Sequence, residues 1–587
     1  MCGIFCYFCR KSAQKDKRDI ITAALETQHR GPDETHIIHG ECRTGLIDRY
    51  HLIFHRLMVN GLSPESGQPL VYPAGSESGP TCYLLCNGEI YNYKDLIIEY
   101  GLEGVYDSSS DCEIILHLYQ LVRRGKMTES EMLMKLRGVF AFVILDTDRQ
   151  QIFMARDPLG VRSMYYCVDD DGYGFCSELK SLYPLADAAS ISQFPGGCYG
   201  YINYGLGSDS DSGSVSGKLQ IHRYYNIWAH GVQEELVRTE DEVAGDLVKL
   251  LTQATERRIM CDRKTADGQP AVGAYLSGGF DSSAIAGLLA SIYPGKLHTF
   301  SIGFKDAPDL LAARKVAEYI GSEHHEVIVT EEEMLGLLKR VPVAIESYDT
   351  TTNRASAFML RLSEYIRDNT DIIVVYSGEG SDELFGSYLY FHNAPCSSDF
   401  HNETVRLLHD LQYFDLLRGD KSSAAAGLEI RVPFLDIDFV NYSLQVPPSL
   451  KMKNGIEKYI LRKALSLTGL IPDEICWRTK EAMSDGVSLG TRSWSGIIQE
   501  MALREAQSHH KYISGPDDPD RPARGDSVKL EKQWFKRQFS SAYPGCEETI
   551  PYEWLPKWCG DIQDPSARVL GVYKEKIDGT GEINEVV

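Results

Sequence analysis

Three stretches of this 587-residue chain combine residue types and spacings that can do chemistry. Leu276-Ser277-Gly278-Gly279-Phe280-Asp281-Ser282-Ser283 lies between an apolar run (Ala271, Val272, Ala274, Tyr275) and a helical one (Ala284, Ile285, Ala286, Leu288, Leu289). It therefore reads as a strand-to-helix turn. Its glycines let the backbone approach a ligand, its serines add hydroxyl donors, and the helix start directs free N–H groups and the positive dipole end at the turn. That is an anion cradle, suited above all to phosphates. It is not the GxxxxGK[ST] loop, because Asp281 stands where a Lys would follow the glycines. A carboxylate beside phosphates calls for a divalent cation between them, so Asp281 is expected to bind Mg²⁺. Ser377-Gly378-Glu379-Gly380-Ser381-Asp382-Glu383 is a second Gly-rich turn after an apolar strand, Ile372–Tyr376, and makes Asp382 a second metal ligand opposite Asp281. A lone Gly-Gly turn, or one carboxylate on a loop, needs no function; two such turns after two strands favour a shared site. Finally, removal of Met1 would leave Cys2 with an α-amine beside its thiol, a nucleophile with its own base, although a second-position cysteine alone is commonly incidental.

The elements that must hold these groups divide into two halves, as expected of a chain too long for one core. Residues 2–9 read as a buried strand. Further strand-like runs lie at Cys82–Cys86, Val139–Leu145, Gln151–Met154 and Met164–Val168, with helical periodicity at Asp19–Thr27 and Asp111–Arg123. This is an α+β half, spanning 2–228. The low-complexity stretch near 205–217, flanked by Cys198–Tyr204 and Leu219–Tyr225, reads as an extended hairpin tip. From about 236 to 545 strands and helices alternate (Ala271–Leu276, Leu297–Ile302, the helix Asp309–Ile320, Asp371–Tyr376), which indicates an α/β doubly wound parallel sheet with ligands at the strands' carboxyl ends. Residues 398–545 look largely helical, and 546–587 form an acidic, partly ordered tail.

The formal charge of −23 argues against nucleic acid or an anionic membrane surface as partner. No stretch approaches the ~20 apolar residues of a membrane span, and no secretory signal is visible. Fifteen cysteines without a framework spacing suit a reducing, cytoplasmic location. Cys6 and Cys9 form a C-x-x-C inside the first strand, with no second pair to complete a zinc site.

The first octapeptide resembles the PP-loop of N-type ATP pyrophosphatases, which implies cleavage of ATP to AMP and pyrophosphate. Cys2-Gly3-Ile4, Arg30-Gly31-Pro32-Asp33, Phe54-His55-Arg56-Leu57, Asn87-Gly88-Glu89-Ile90-Tyr91-Asn92 and Ser110-Asp111-Cys112-Glu113 together resemble the class II glutamine amidotransferase domain. That resemblance implies an Ntn-type fold of stacked antiparallel sheets between helices, in which the Cys2 thiolate attacks the glutamine amide. It assigns Asn87 and Gly88 to the oxyanion hole, one amide side chain and one unhindered backbone N–H. It assigns Arg56 to the glutamine α-carboxylate, Asp111 to the α-ammonium, and Leu57, Met58, Val59, Asn60 and Glu89 to the same binding segments. By itself Asn-Gly signals a type I′ hairpin turn, and that geometry is expected here beneath the function. Ser163 departs from the family's Pro.

Both halves together are similar to the glutamine-hydrolysing asparagine synthetase family. The likeness extends through Ile345–Thr351, Gly386–Pro395, Leu428–Asp436, Glu457–Arg462, Lys480–Val487 and Asp564–Arg568. It implies ATP, glutamine and aspartate as substrates, Mg²⁺ as cofactor, and a homodimer as a family-level expectation. Leu276, Ile302, Ser377 and Gly378 would contact adenosine, with Ser277, Gly278, Gly279, Ser282 and Ser283 around the phosphates. Glu379 would serve the β-aspartyl-AMP intermediate, and Lys458 would neutralise charge on the α-phosphate. Ser387 stands where the family often has Gly. For aspartate, Glu346, Thr351, Thr352 and Arg354 are candidates by position only, and could equally brace a helix start. Three alternatives stand beside this reading. A related enzyme could adenylate another carboxylate, as β-lactam synthetase-like enzymes do; a phosphosugar aminotransferase would share only the first domain; a non-catalytic homologue would be expected to lose Cys2, Asp281 or Asp382.

Overall fold

The computed structural model describes residues 1–570, apart from 14, 43–44, 74–80, 107, 206–216, 233–237, 479–485, 489–491, 514–522 and 567–569. Most of the hairpin tip, most of Lys480–Val487 and the tail beyond 570 thus lie outside the described residues.

The first half stacks two six-stranded antiparallel sheets. One runs Ile191–Gln193, Tyr165–Val168, Gly172–Cys176, Gly3–Arg10, Ile47–Arg56, Glu34–Glu41; the other runs Gln220–Arg223, Cys198–Asn203, Gln151–Arg156, Gly138–Asp146, Cys82–Ile90, Leu70–Tyr72. Alternation along the first strand explains its continuous apolar run. Ile4, Cys6 and Phe8 face the second sheet through Leu85, Val143 and Met154. Phe5, Tyr7 and Cys9 face the helix Lys17–Leu25 and the C-terminal helix Ser527–Ala542. Cys6 and Cys9 therefore point to opposite faces, and all fifteen cysteines are free. On its outer face the second sheet carries the helix Glu113–Arg123, through Ile114, Leu118 and Tyr119 packed with Phe142 and Phe153. The layers are helix, sheet, sheet, helix.

The second half is built on a five-stranded parallel sheet in the order Glu323–Val329, His298–Phe304, Val272–Tyr275, Val374–Tyr376, Glu429–Arg431. The chain direction across the sheet reverses at the central strand Val272–Tyr275, so the turns after that strand and after Val374–Tyr376 open side by side at the switch point, where ligands of such sheets bind. The edge strand Glu429–Arg431 lies against the first half. Across that interface Arg30 Nη1 donates to Asp420 Oδ2 at 2.8 Å, Ser163 Oγ to the same oxygen at 2.9 Å, and Lys421 Nζ to the Tyr165 hydroxyl at 2.7 Å. Ser163, where a Pro was expected, thus makes a buried hydrogen bond between the halves. No described helix is long and apolar enough to cross a membrane.

Candidate active sites

The start of the first strand places Cys2 beside the segment 57–60. The backbone N–H of Leu57 donates to Cys2 Sγ at 3.4 Å, and Arg30 Nε holds the Cys2 carbonyl at 3.0 Å. Asn60 Nδ2 donates to Glu89, which ties this segment to the strand Cys82–Ile90, and Asp111 Oδ2 accepts the Ile90 N–H at 2.6 Å. Burial pushes the Asp111 carboxyl up to about 7. It also raises Glu89, whose neighbours Glu429 and Asp111 push the same way. Arg56 is buried, with its guanidinium on Glu34 Oε2 (2.8 Å), Ser63 O (3.0 Å) and Gly61 O. Met58 N–H donates to Asp33 at 2.8 Å, and the Val59 carbonyl accepts from Asp262 and Arg263 N–H.

Asn87 and Gly88 do not form a hairpin turn. They sit inside the strand Cys82–Ile90, opposite Ala141 and Phe140, and a Cβ on Gly88 would fall 2.3 Å from the Val139 carbonyl oxygen. The local turn signal loses to pairing with the neighbouring strand on an apolar sheet, and the glycine is there for close strand approach. The Asn87 side-chain nitrogen is buried with no hydrogen-bond partner. A buried amide donor without a partner costs free energy, and its persistence points to a ligand oxygen.

Met1 is fully buried. Its ammonium nitrogen donates to Leu428 O at 3.1 Å and is pushed down to about 5 by burial, while Arg162 Nη1 approaches its sulfur at 2.7 Å. Burial likewise pushes the Cys2 thiol up to about 11. With Met1 in place the thiol is therefore protonated at neutral pH.

At the switch point of the parallel sheet lies a cavity of about 190 Å³, lined among others by Leu276, Ser277, Gly279, Asp281, Ser282, Ile302, Ser377, Gly378, Glu379, Asp382 and Lys458. Gly279 starts the helix Phe280–Ile292 without a side-chain cap, leaving its first N–H groups to the cavity. Gly378 lets the two turns meet, since a Cβ there would fall 2.8 Å from the Asp281 carbonyl carbon and the Ser282 nitrogen. Gly278 and Ser283 do not line the cavity. Gly278 has φ +75° and backs onto Ala313, its carbonyl accepting from Arg478 Nη1 at 3.0 Å, and the Ser283 hydroxyl is buried behind the turn.

Lys458 holds the position between the two carboxylates, its ammonium 2.5 Å from Asp281 Oδ1 and 2.6 Å from Asp382 Oδ1. Its backbone is in the left-handed region, φ +56°, at the start of the helix Tyr459–Ser466. Ser387, the residue that departs from glycine, donates to Asp382. Glu379 accepts from Arg418 Nη2 at 2.8 Å. Burial, reinforced by Asp415 and Asp382, pushes Glu383 up to about 8.

Of the aspartate candidates only Thr351 reaches this cavity. Glu346 instead pairs with Lys421 and accepts the Leu179 and Lys180 N–H groups, both at 2.8 Å, bracing the two halves. Thr352 is bonded to the cap Asp349, and Arg354 is locked between Glu531 and Asp564. Arg418, Arg462, Arg478, Asp309 and Asp415 line the cavity and were missed from sequence. Asp415 and Arg418 share the helix Asp415–Ala424, Arg462 lies one turn beyond Lys458, and Asp309 and Arg478 come from two further segments, so only the fold brings the five together.

Two stacked antiparallel sheets that open on a cysteine, joined to a parallel sheet with opposed carboxylates at its switch point, define a two-site enzyme of the glutamine amidotransferase class. Residues 1–194 match the model of the glutamine amidotransferase domain, and residues 246–402 and 396–520 match that of asparagine synthase. The chain is 38% identical over 599 residues to the asparagine synthetase (glutamine-hydrolyzing) of Gallus gallus, covering 98% of this chain and 100% of that one. It is 38% identical over 600 residues, with the same coverage, to the protein so named in Homo sapiens. It belongs to the asparagine synthetase family.

Proposed function

We propose that this chain makes asparagine from aspartate, ATP and glutamine at two sites. At the sheet switch point the aspartate β-carboxylate attacks the α-phosphorus of ATP, giving β-aspartyl-AMP and pyrophosphate. At the other site the Cys2 thiolate, its proton taken by the Cys2 α-amine, attacks the glutamine amide carbonyl. The tetrahedral species collapses to a glutamyl thioester as the nitrogen takes that proton back and leaves as ammonia, and water then hydrolyses the thioester to glutamate and the free thiol. Ammonia then attacks the β-acyl carbon of the adenylate, and AMP departs.

The observation that carries the nucleotide site is the approach of Asp281 and Asp382 to the single ammonium of Lys458. Six carboxyl groups line the cavity (Asp281, Asp309, Glu379, Asp382, Glu383, Asp415) against four cations (Arg418, Lys458, Arg462, Arg478). Even with Glu383 protonated at neutral pH, this lining does not neutralise a triphosphate, so the donor set fits a nucleotide that arrives with a divalent cation. Asp281 and Asp382 would hold Mg²⁺, which supplies charge neutralisation on the pyrophosphate oxygens. Lys458 neutralises the α-phosphate as pyrophosphate leaves, and the Gly279 helix start donates N–H groups to phosphate oxygens. Glu379, positioned by Arg418, faces the reacting carboxylate.

At the first site the buried, unpartnered Asn87 amide and the Gly88 N–H support an oxyanion hole. Asp111 takes the glutamine ammonium and Arg56 the carboxylate, Arg56 exchanging its present acceptors for the substrate's. Loss of Met1 gives Cys2 the α-amine that serves as its base. Ammonia must travel unprotonated, because ammonium has no lone pair. An apolar cluster shared by both halves, including Leu57, Val59 and Val139 from one and Tyr376, Ile430 and Val432 from the other, supports a dry route between the sites. Products decide the reading. Glutamine, aspartate and MgATP should yield asparagine with stoichiometric AMP and pyrophosphate, whereas ADP and phosphate would overturn it.

A further inference from the structure

On the edge of the parallel sheet away from the nucleotide cavity, two adjacent strand starts bring His298, Glu323 and His325 together. His298 pairs in register with Glu323, and Phe300 with His325. By the two-residue alternation of a strand, His298 and Phe300 share a face, as do Glu323 and His325. The opposite face is taken by hydrogen bonds of His324 to Thr299 Oγ1 and Ser301 Oγ, both at 3.0 Å. The His325 ring stacks on Phe300 with centroids 4.9 Å apart and lies 5.4 Å from the His298 ring. The ring planes are thereby fixed before any ligand arrives.

His298 Nδ1 and His325 Nε2 face each other at 3.1 Å, and Glu323 Oε1 lies 3.9 Å from the first and 3.8 Å from the second. The point equidistant from these three atoms, the circumcentre of their triangle, is about 2.1 Å from each, which is the bond length of Zn²⁺ to imidazole nitrogen and carboxylate oxygen. A ring–ring hydrogen bond accounts for the 3.1 Å contact alone. It does not account for a carboxylate oxygen nearly equidistant from both nitrogens. On the far side of His325, Nδ1 lies 3.5 Å from the Tyr365 hydroxyl. An Nδ1–H directed there leaves the Nε2 lone pair toward the centre, the outer support that metal-binding imidazoles commonly have. The Glu323 side chain is 51% exposed, against 21% and 18% for the two histidines, so an ion enters from solvent past the carboxylate.

We propose that His298, Glu323 and His325 form a site for a borderline divalent transition metal of the Zn²⁺ type, with three protein ligands and an open fourth position. The donor set separates it from the nucleotide cavity, whose carboxylates suit Mg²⁺; two imidazoles favour Zn²⁺, Ni²⁺ or Cu²⁺ over Mg²⁺. The bound ion would clamp the starts of the strands His298–Phe304 and Glu323–Val329. The first of these carries Phe300, Ser301 and Ile302 to the cavity wall.

The test titrates the full-length protein with ZnCl₂ in a non-chelating buffer, and in parallel with CoCl₂ as a spectroscopic probe. Wild type should bind one more Zn²⁺ per chain than His325→Ala, and the Co²⁺ form should show visible d–d absorption without the thiolate charge-transfer band that cysteine ligands add. Glu323→Gln, which keeps the size of a half-exposed side chain, should retain the wild-type circular dichroism spectrum and weaken this binding by more than about 10-fold. Excess Mg²⁺ should not compete. The same Zn²⁺ stoichiometry and affinity in wild type and Glu323→Gln would overturn the site, and so would a Co²⁺ spectrum dominated by thiolate charge transfer.

Discussion

Asp281 and Asp382 reach toward each other from two different turns and close on one ammonium, that of Lys458. Each carboxylate is 13–16% exposed and the lysine side chain 1%, so the cation is held where solvent screens it little. Lys458→Met should lower pyrophosphate release from MgATP and aspartate by about 10²–10³-fold, the range for removing one preorganised charge-stabilising group. Glutamine hydrolysis in the same variant should stay near wild type. Equal loss of both activities in a folded variant would mean that Lys458 does not belong to the nucleotide site alone.

Gly378 makes a separate claim, about shape. A methyl group there would meet backbone atoms of Asp281 and Ser282 at 2.8 Å, and backbone cannot rotate away as a side chain can. Gly378→Ala should push the two turns apart, raise KM for ATP and cut ammonia-dependent synthesis at least about tenfold, since small misplacements of reacting groups are costly. Steady-state kinetics with an ammonium salt as nitrogen donor isolate that effect from glutamine chemistry.

Asn87 offers a test in which activity and stability part company. Its amide nitrogen is buried without a partner, so Asn87→Ala gives up no hydrogen bond from that donor in the free protein. Glutaminase kcat should fall by about 10²–10³-fold while the thermal midpoint stays within a few degrees of wild type. A large drop in midpoint would indicate a structural role instead.

Burial pushes the Asp111 carboxyl up to about 7, which gives the glutamine reaction a pH dependence of definite sign. Below about 7 the group is neutral and cannot pair with the substrate ammonium; above it the pair forms. kcat/KM for glutamine, which reports groups of the free enzyme, should therefore fall as pH drops through about 7. Asp111→Asn should lower kcat/KM throughout and abolish that limb of the profile.

Much of this architecture is legible in the sequence because its signals are local. The apolar runs before residues 276 and 377, each followed by glycines and an Asp, announce two turns at strand ends, and the sheet order sets those turns side by side. What stayed hidden depends on partners distant along the chain. Glu34–Glu41 and Glu323–Val329 are strands mostly of polar and charged residues, whose apolar stretches are only Ile37-Ile38 and Val327-Ile328-Val329, and each lies at a sheet edge. Asn87-Gly88 carries a turn signal that strand pairing overrides. Arg418, Arg478 and Asp309 enter the cavity from separate elements, and only the fold brings them together. Glu346 and Arg354 have the right type and neighbourhood for substrate, but are consumed by Lys421 and Glu531.

The central claim is that one chain holds two separable sites joined by ammonia, and Cys2→Ala tests it most directly. The variant, given aspartate and MgATP, is assayed for asparagine with glutamine and then with an ammonium salt as nitrogen donor. Glutamine-dependent synthesis should vanish while ammonia-dependent synthesis persists at a rate close to wild type. Loss of both in a protein that remains folded, or retention of the glutamine-dependent rate, would contradict it.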